Sequence, residues 1–217
     1  KGPERKSVSL RRDSKTRLNQ ALQISNPDSR VTLSPTSEHS LLSEFSFSRT
    51  GTRTADNPLF LICFWEIPER TNIWALEQTS AHQPIMFGGR NFFIRWEQGS
   101  GLLNQYKRDG LASIQGGDAW GRRGVVVRLV GDLPATIYSG EIFDMNTGVI
   151  CANKESDLPA IWAYCSSKEY VSEIRKIDQQ LKLTTATLLK VPFDIDRWTG
   201  VAESIYEKGL PSAYSND

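Results

Sequence analysis

Apolar positions crowd most densely between Trp120 and Ile150. Val125–Val130 and Gly148–Ile150 are apolar, largely β-branched runs, with Ala135–Tyr138 and Glu141–Phe143 between them. Gly124, Gly131-Asp132, Ser139-Gly140 and Asn146 interrupt the runs at short intervals. Strand-length apolar runs bounded by Gly, Asn and Asp predict a small meander of paired strands. Arg122, Arg123 and Arg128 stand at its front, where guanidiniums suit either a phosphate backbone or a solvated face.

The same reading extends along the chain. Residues 1–20 are polar and basic, a lead-in that is disordered or weakly helical. Residues 22–33 read as two extended runs around Asn26-Pro27-Asp28, and Ser34–Ser40 as a Ser/Thr/Pro loop. Leu41–Phe47 predicts a short helix, and Gly51, Asp56, Asn57 and Pro58 a turn. Leu59–Ile67, aromatic and β-branched with both faces apolar, predicts a central strand. Ile73–Ala81 predicts a helix, and Phe87–Arg90 a turn. Asn91–Glu97 alternates as a strand, with Phe92, Ile94 and Trp96 on one face. Residues 98–110 predict a turn and a short helix ending at Lys107-Arg108.

Asp157-Leu158-Pro159 opens a helix with Asp as N-cap. Ser166 and Glu169 have capping-box spacing for a second one. Tyr170, Val171, Ile174, Ile177 and Leu181 follow at helical intervals. Thr184–Thr187 breaks the pattern, Val191–Phe193 is extended, and a last helix runs to Tyr206. The aromatics Phe64, Trp65, Trp162 and Tyr170 read as core.

Composition narrows the class. The 217 residues are 39% hydrophobic and 24% charged, which suits a globular domain able to bury its own core. Net charge is only +1, but Lys1, Arg5, Lys6, Arg11, Arg12, Lys15, Arg17 and Arg30 outweigh Glu4, Asp13 and Asp28. That leaves +5 on residues 1–30 and −4 on the rest, a basic arm on a nearly neutral body. Cys63, Cys151 and Cys165 have no metal-like spacing, and no signal peptide or long apolar run is present. A cytoplasmic, reduced location with no membrane partner is the expectation. A start at Lys1 and an end at Asp217 suggest a piece of a longer chain.

Catalytic signals are sparse. His39 and His82 lack a partnered Ser or Cys motif. Asn26-Pro27-Asp28 lacks the second Pro and the aromatic of a methyltransferase tetrapeptide, and Gly88-Gly89 lacks the ending of a phosphate loop. Asp56, Glu66, Glu97, Glu141 and Asp144 are carboxylates near strand ends, and their spacing selects no acid–base pair. Arg, Lys, Asn, Thr and aromatics on short loops point to binding instead, with no cofactor or metal site in the chain.

Several motifs taken in order resemble one family. They are "GTRTADNPLF" with "FWE", "AWGRRGV", "YSGEIFDMN", "PAIWAYCSSKEY", "RKIDQQLKLTTATLLKVPFD" and the closing "GLPxxYS". From about Leu22 onward the chain resembles the C-terminal part of large adenine-N6 DNA methyltransferases. These belong to type IIG restriction enzymes and BREX-type phage-defence systems. The family's recognition part opens with a Thr-Gly-Asp-Asn loop. Here it reads Thr54-Ala55-Asp56-Asn57, and Ala at 55 makes a left-handed turn costly.

The resemblance implies an α+β target recognition domain: a mixed, curved, mostly antiparallel sheet with flanking helices. It implies three stretches, a lead-in (1–21), the recognition domain (22–198) and a tail toward a missing segment (199–217). The partners implied are double-stranded DNA and a methyltransferase domain of the same protein, where S-adenosylmethionine would bind. Reading DNA needs bidentate donors for guanine, amides for adenine and cationic or hydroxyl anchors for phosphate. Arg53, Asn57, Arg90, Asn91, Arg122 and Arg123 are the base-readout candidates. Arg49, Lys107, Arg108, Lys182, Thr184 and Thr185 are the phosphate candidates. Two rival classes are a protein-interaction module docking other defence-system subunits through the 158–182 helices, and a hydrolase whose acids converge in a deep pocket.

Overall fold

The computed structural model describes residues 3–12, 17–24, 31, 40–67, 69, 71–212. The chain separates into two compact units, Lys1–Ser37 and Glu38–Asp217. In the first, α1 (Pro3–Arg12) carries exposed Arg5, Lys6, Arg11 and Arg12 and buries no residue. The second helix, α2 (Gln20–Gln23), is one turn capped by Asn19. It covers the start of the 22–33 stretch predicted as extended. The rest of that stretch, apart from Ile24 and Val31, and the Ser34–Ser40 loop up to its last residue lie outside the described residues.

The second unit is α+β. One turn of helix, α3 (Leu42–Phe45), leads directly into strand β1 (Ser46–Thr50), which replaces the end of the helix expected over Leu41–Phe47 and the start of the turn after it. Strands β5 (Gly124–Arg128), β6 (Ala135–Tyr138) and β8 (Thr147–Ala152) join β1 in an antiparallel sheet of order β1-β8-β5-β6. Alternation along these strands buries both faces. Val125, Val127, Ile150 and Ala152 enter the large core, and Val126, Val149 and Cys151 a smaller one behind the sheet. The large core is closed by α6 (Leu158–Cys165), α7 (Lys168–Ile177) and α8 (Ile195–Ile205), which contribute Ile161, Tyr164, Tyr170, Ile174 and Trp198. Helix α8 crosses residue 199 and buries Ala202 beyond it.

A second sheet has order β2-β4-β3-β7, from β2 (Leu61–Cys63), β3 (Trp74–Gln78), β4 (Phe92–Arg95) and β7 (Ile142–Phe143). It is antiparallel except for the parallel β3–β7 pair. Helix α5 (Leu102–Arg108) packs Leu103 on it beside Phe60 and Ile94. The expected single curved sheet is therefore two four-stranded sheets, and the predicted meander divides between them. The chain leaves the first at Tyr138, turns at Gly140 (φ +105°) and enters the second as β7. A Cβ on Gly140 would lie 2.8 Å from the Gly121 backbone, so this crossing needs glycine.

Three further elements differ from the sequence reading. Leu59–Ile67 is not a central strand. Asp56 accepts a hydrogen bond from Leu59 N (3.2 Å) and Pro58 sits in the first turn of α4 (Asn57–Phe60). After the short edge strand β2, Glu66 accepts from Cys63 N (3.0 Å) and closes a 3-10 turn over Phe64–Glu66. That turn lifts Phe64 and Trp65 into solvent, 54% and 64% exposed, so neither is core, whereas Trp162 and Tyr170 are.

The Ile73–Ala81 stretch holds strand β3 rather than a helix, because β4 and β7 claim the backbone of Trp74–Gln78 on both sides. Helix α7 starts one residue later than its predicted box. Ser167 accepts from Tyr170 N, while the Ser166 hydroxyl donates back to Trp162 O (2.8 Å). It also ends before Leu181, which is 73% exposed.

Candidate functional site

Past β1 the chain runs against the end of β7. Thr52 N donates to Phe143 O (2.7 Å) and Met145 N to Thr52 O (3.0 Å). Such closeness requires Gly51, where a Cβ would sit 2.1 Å from Phe143 O. Arg53 is then fixed by paired backbone bonds with Ser113 (2.8 and 2.9 Å). Ala55 adopts φ +68°, so the left-handed turn is kept at the alanine despite its cost. The Thr54 hydroxyl donates to Asn57 Oδ1 (2.5 Å), which fixes the amide and leaves its nitrogen to donate elsewhere.

Facing this loop are the end of β3 and the start of β4. Between them lies a cavity of about 560 Å³, lined by Thr52, Arg53, Thr54, Asn57, Glu77, Thr79, Phe92, Asp144, Met145 and Asn146, with apolar Ala55, Pro58 and Leu61. Asp144 N donates to Gln78 O (3.3 Å), which brings the two acids of the cavity to adjacent strand ends.

Those acids are buried and incompletely paired. Glu77 is 2% exposed. Glu77 Oε2, Asp144 Oδ1 and Thr52 Oγ1 have no hydrogen-bond partner among the described residues. Burial, then the neighbouring Asp144 charge, pushes the Glu77 carboxyl up to about 8, so it holds its proton at neutral pH. Asp144 is also raised by burial, against the lowering pull of bonds from Asn146 and Thr147 and of the Lys182 charge. The cavity wall thus brings together a neutral carboxyl, a second acid, Asn57 and Arg53, whose Nη2 donates to Leu111 O (3.2 Å).

Of the base-readout candidates, Arg53 and Asn57 meet in this cavity. Asn91 is exposed at its far side, where its carbonyl accepts from Phe64 N (3.0 Å). Arg90 is built into the seam between the sheets. Its Nη2 donates to Ile137 O and Ser139 Oγ, both 2.8 Å, and its Nε lies 3.6 Å from Glu141 Oε1.

Arg122 and Arg123 lie elsewhere, lining a 220 Å³ hollow with Glu155 and Leu158. Arg122 donates to Ala152 O (3.3 Å), and Arg123 to Pro211 O (3.1 Å). Arg122 also stacks on the Phe47 ring at 4.9 Å, as does Arg49, which pairs with Asp118 at 2.6 Å.

Among the phosphate candidates, Lys107 and Arg108 are exposed at the end of α5. Lys182 bridges Val130 and acts on Asp144, near the cavity. The Thr184 hydroxyl bonds that of Thr187 (3.0 Å), and the Thr185 carbonyl accepts from Ser48 next to Arg49.

Sequence reasoning missed Glu77 and Thr52. An acid inside the apolar Trp74–Gln78 run was the available signal for Glu77. Of the five acids noted near strand ends, Asp56 and Glu66 cap turns, Glu97 accepts from Leu102 N (2.7 Å) and Arg95, and Glu141 faces Arg90. Asp144 alone of these lines the cavity.

A scan of protein-family models and a search of curated proteins both return no match for this chain. Among the described residues, no helix is long and apolar enough to cross a membrane.

Proposed function

We propose that this chain is the DNA-sequence recognition module of an adenine-N6 DNA methyltransferase of the restriction or phage-defence kind. It positions a catalytic domain elsewhere in the protein, which would bind S-adenosylmethionine. The order of the motifs supports the family. The observation that carries the reading is that Arg53 and Asn57, from the loop matching the family's recognition motif, line one cavity, with the Arg53 backbone paired to Ser113 and the Asn57 amide held by Thr54. An arginine fork and an oriented amide are the groups that read guanine and adenine edges. Lys182 next to that cavity, and Arg49 beside Thr185, supply cations for the backbone.

Selection from a randomised duplex library at physiological salt tests this. Enrichment of one short sequence, with affinity that falls as salt rises, is expected. A library that stays random after selection refutes it.

The convergence of Glu77 and Asp144 favours one second reading, acid–base hydrolysis, since two buried carboxyls meet in one cavity and burial raises both. A panel of chromogenic glycosides and phosphodiesters checks it. Turnover that disappears in Asp144→Asn would replace the recognition reading. The interaction reading looked to Tyr170 and Ile174 at the free surface of these helices, and both are fully buried.

A further inference from the structure

Three residues that line the cavity, Thr52, Glu77 and Asp144, each carry a buried polar atom with no partner among the described residues: Oγ1, Oε2 and Oδ1. Native interiors pair nearly all such groups, so three together mark a place prepared for a ligand's hydrogen bonds. Phe92 and Leu61 give the cavity flat apolar wall, and about 560 Å³ admits a whole nucleoside. The acids number two, and among the described residues no third acid, His or Cys joins them, which is a poor ligand set for a divalent cation.

We propose that this cavity receives one unpaired base of the bound DNA and accepts bases that carry an exocyclic amino group, rejecting thymine. The proposal rests on the recognition reading above. Glu77 is 2% exposed, so the edge of a base still paired in the duplex cannot reach it. A base that has left the stack can enter the cavity that Glu77 lines.

A protonated carboxyl offers one donor and one acceptor side by side. It pairs with any base edge that presents a neighbouring acceptor and donor. Asp144 supplies the discrimination, because its Oδ1 is an acceptor beside that pair. The second N–H of an adenine, cytosine or guanine amino group satisfies it. Thymine presents a carbonyl there, and two acceptors facing one another in a buried site are repelled. Phe92 provides a stacking face. The charged group acting on Glu77 is Asp144, and Lys182 acts in turn on Asp144.

The test is fluorescence anisotropy with the full chain and otherwise identical duplexes carrying a single bulged A, C, G or T. Bulged A, C and G should bind about tenfold or more tighter than bulged T. Glu77→Gln, whose amide keeps a donor and an acceptor, should preserve that preference, and Glu77→Leu should abolish it. Asp144→Asn, which puts a donor where the acceptor stood, should rescue bulged T.

Equal binding of all four bulges by a chain that still binds duplex would overturn this pocket and leave the recognition reading standing. Failure to bind any duplex would overturn both. Free adenosine or cytidine binding as tightly as the bulged duplexes would overturn DNA as the source of the base. The Leu variant counts only where its thermal melt matches that of the parent. Rescue of bulged T by the Asn variant does not depend on the Leu variant folding, and its absence would overturn the role given to Asp144.

Discussion

Glu77→Gln should make the protein more stable at alkaline pH and leave it nearly unchanged at acid pH. The unfolded chain releases the Glu77 proton near the ordinary value of 4.5, whereas burial and Asp144 hold it in the folded chain up to about 8. Between these values the folded state binds more protons than the unfolded state, so stability falls as pH rises. The effect is absent below 4.5 and complete above about 8. The difference sets a ceiling of about 5 kcal/mol, one pH unit of displacement being about 1.4 kcal/mol.

Relaxation and water entry would trim that figure, so the Gln variant should gain about 2–4 kcal/mol at about pH 9. Asp144, raised for the same first reason, adds to the same slope. Glu97 and Glu169 are held low by hydrogen bonds and by Arg95 and Arg197, so their contributions fall at acid pH, outside this window. Urea denaturation followed by tryptophan fluorescence at about pH 5, 7 and 9 measures the difference. Parallel pH profiles for the two proteins, within about 0.5 kcal/mol, would refute the buried-proton argument.

Gly51→Ala should cost about 2–4 kcal/mol, because its Cβ would displace the Phe143 carbonyl and break the bond from Thr52 N; a midpoint unchanged in urea would contradict this. Arg90→Met should lower stability by about 2–4 kcal/mol, since Glu141, 7% exposed at its side chain, loses the cation 3.6 Å away and Ile137 O and Ser139 Oγ each lose one of their hydrogen bonds; calorimetry reads it. Trp65→Ala should change stability by less than about 0.5 kcal/mol, the ring being 64% exposed, yet weaken duplex binding if the Phe64–Trp65 pair stacks on DNA; equal affinity would rule out that contact.

The sequence by itself determined the elements whose stability is local or whose burial is symmetric. The Val125–Val127 run reads as a strand because both its faces are apolar, and both faces are buried. Helix α7 follows from its helical period, and α5 from its position after the Gly-rich turn. The α+β class follows from having both kinds of pattern.

Which strands share a sheet, and what the polar residues inside them meet, depend on long-range packing. Trp74–Gln78 carries Glu77 and Gln78, and such polar positions in an apolar run read as the wet side of a helix. In the fold β4 and β7 take up its backbone, Gln78 is satisfied by the carbonyls of Ile137 and Gly88, and Glu77 turns into the cavity. Likewise Arg53, Asn57, Arg90 and Arg122 look alike as loop cations and amides. Their neighbours separate a cavity wall from an inter-sheet seam and a stack on Phe47. Periodicity records which faces are apolar. It carries no information on which distant segment will cover them, because that choice is made by long-range pairing and packing rather than by the local backbone.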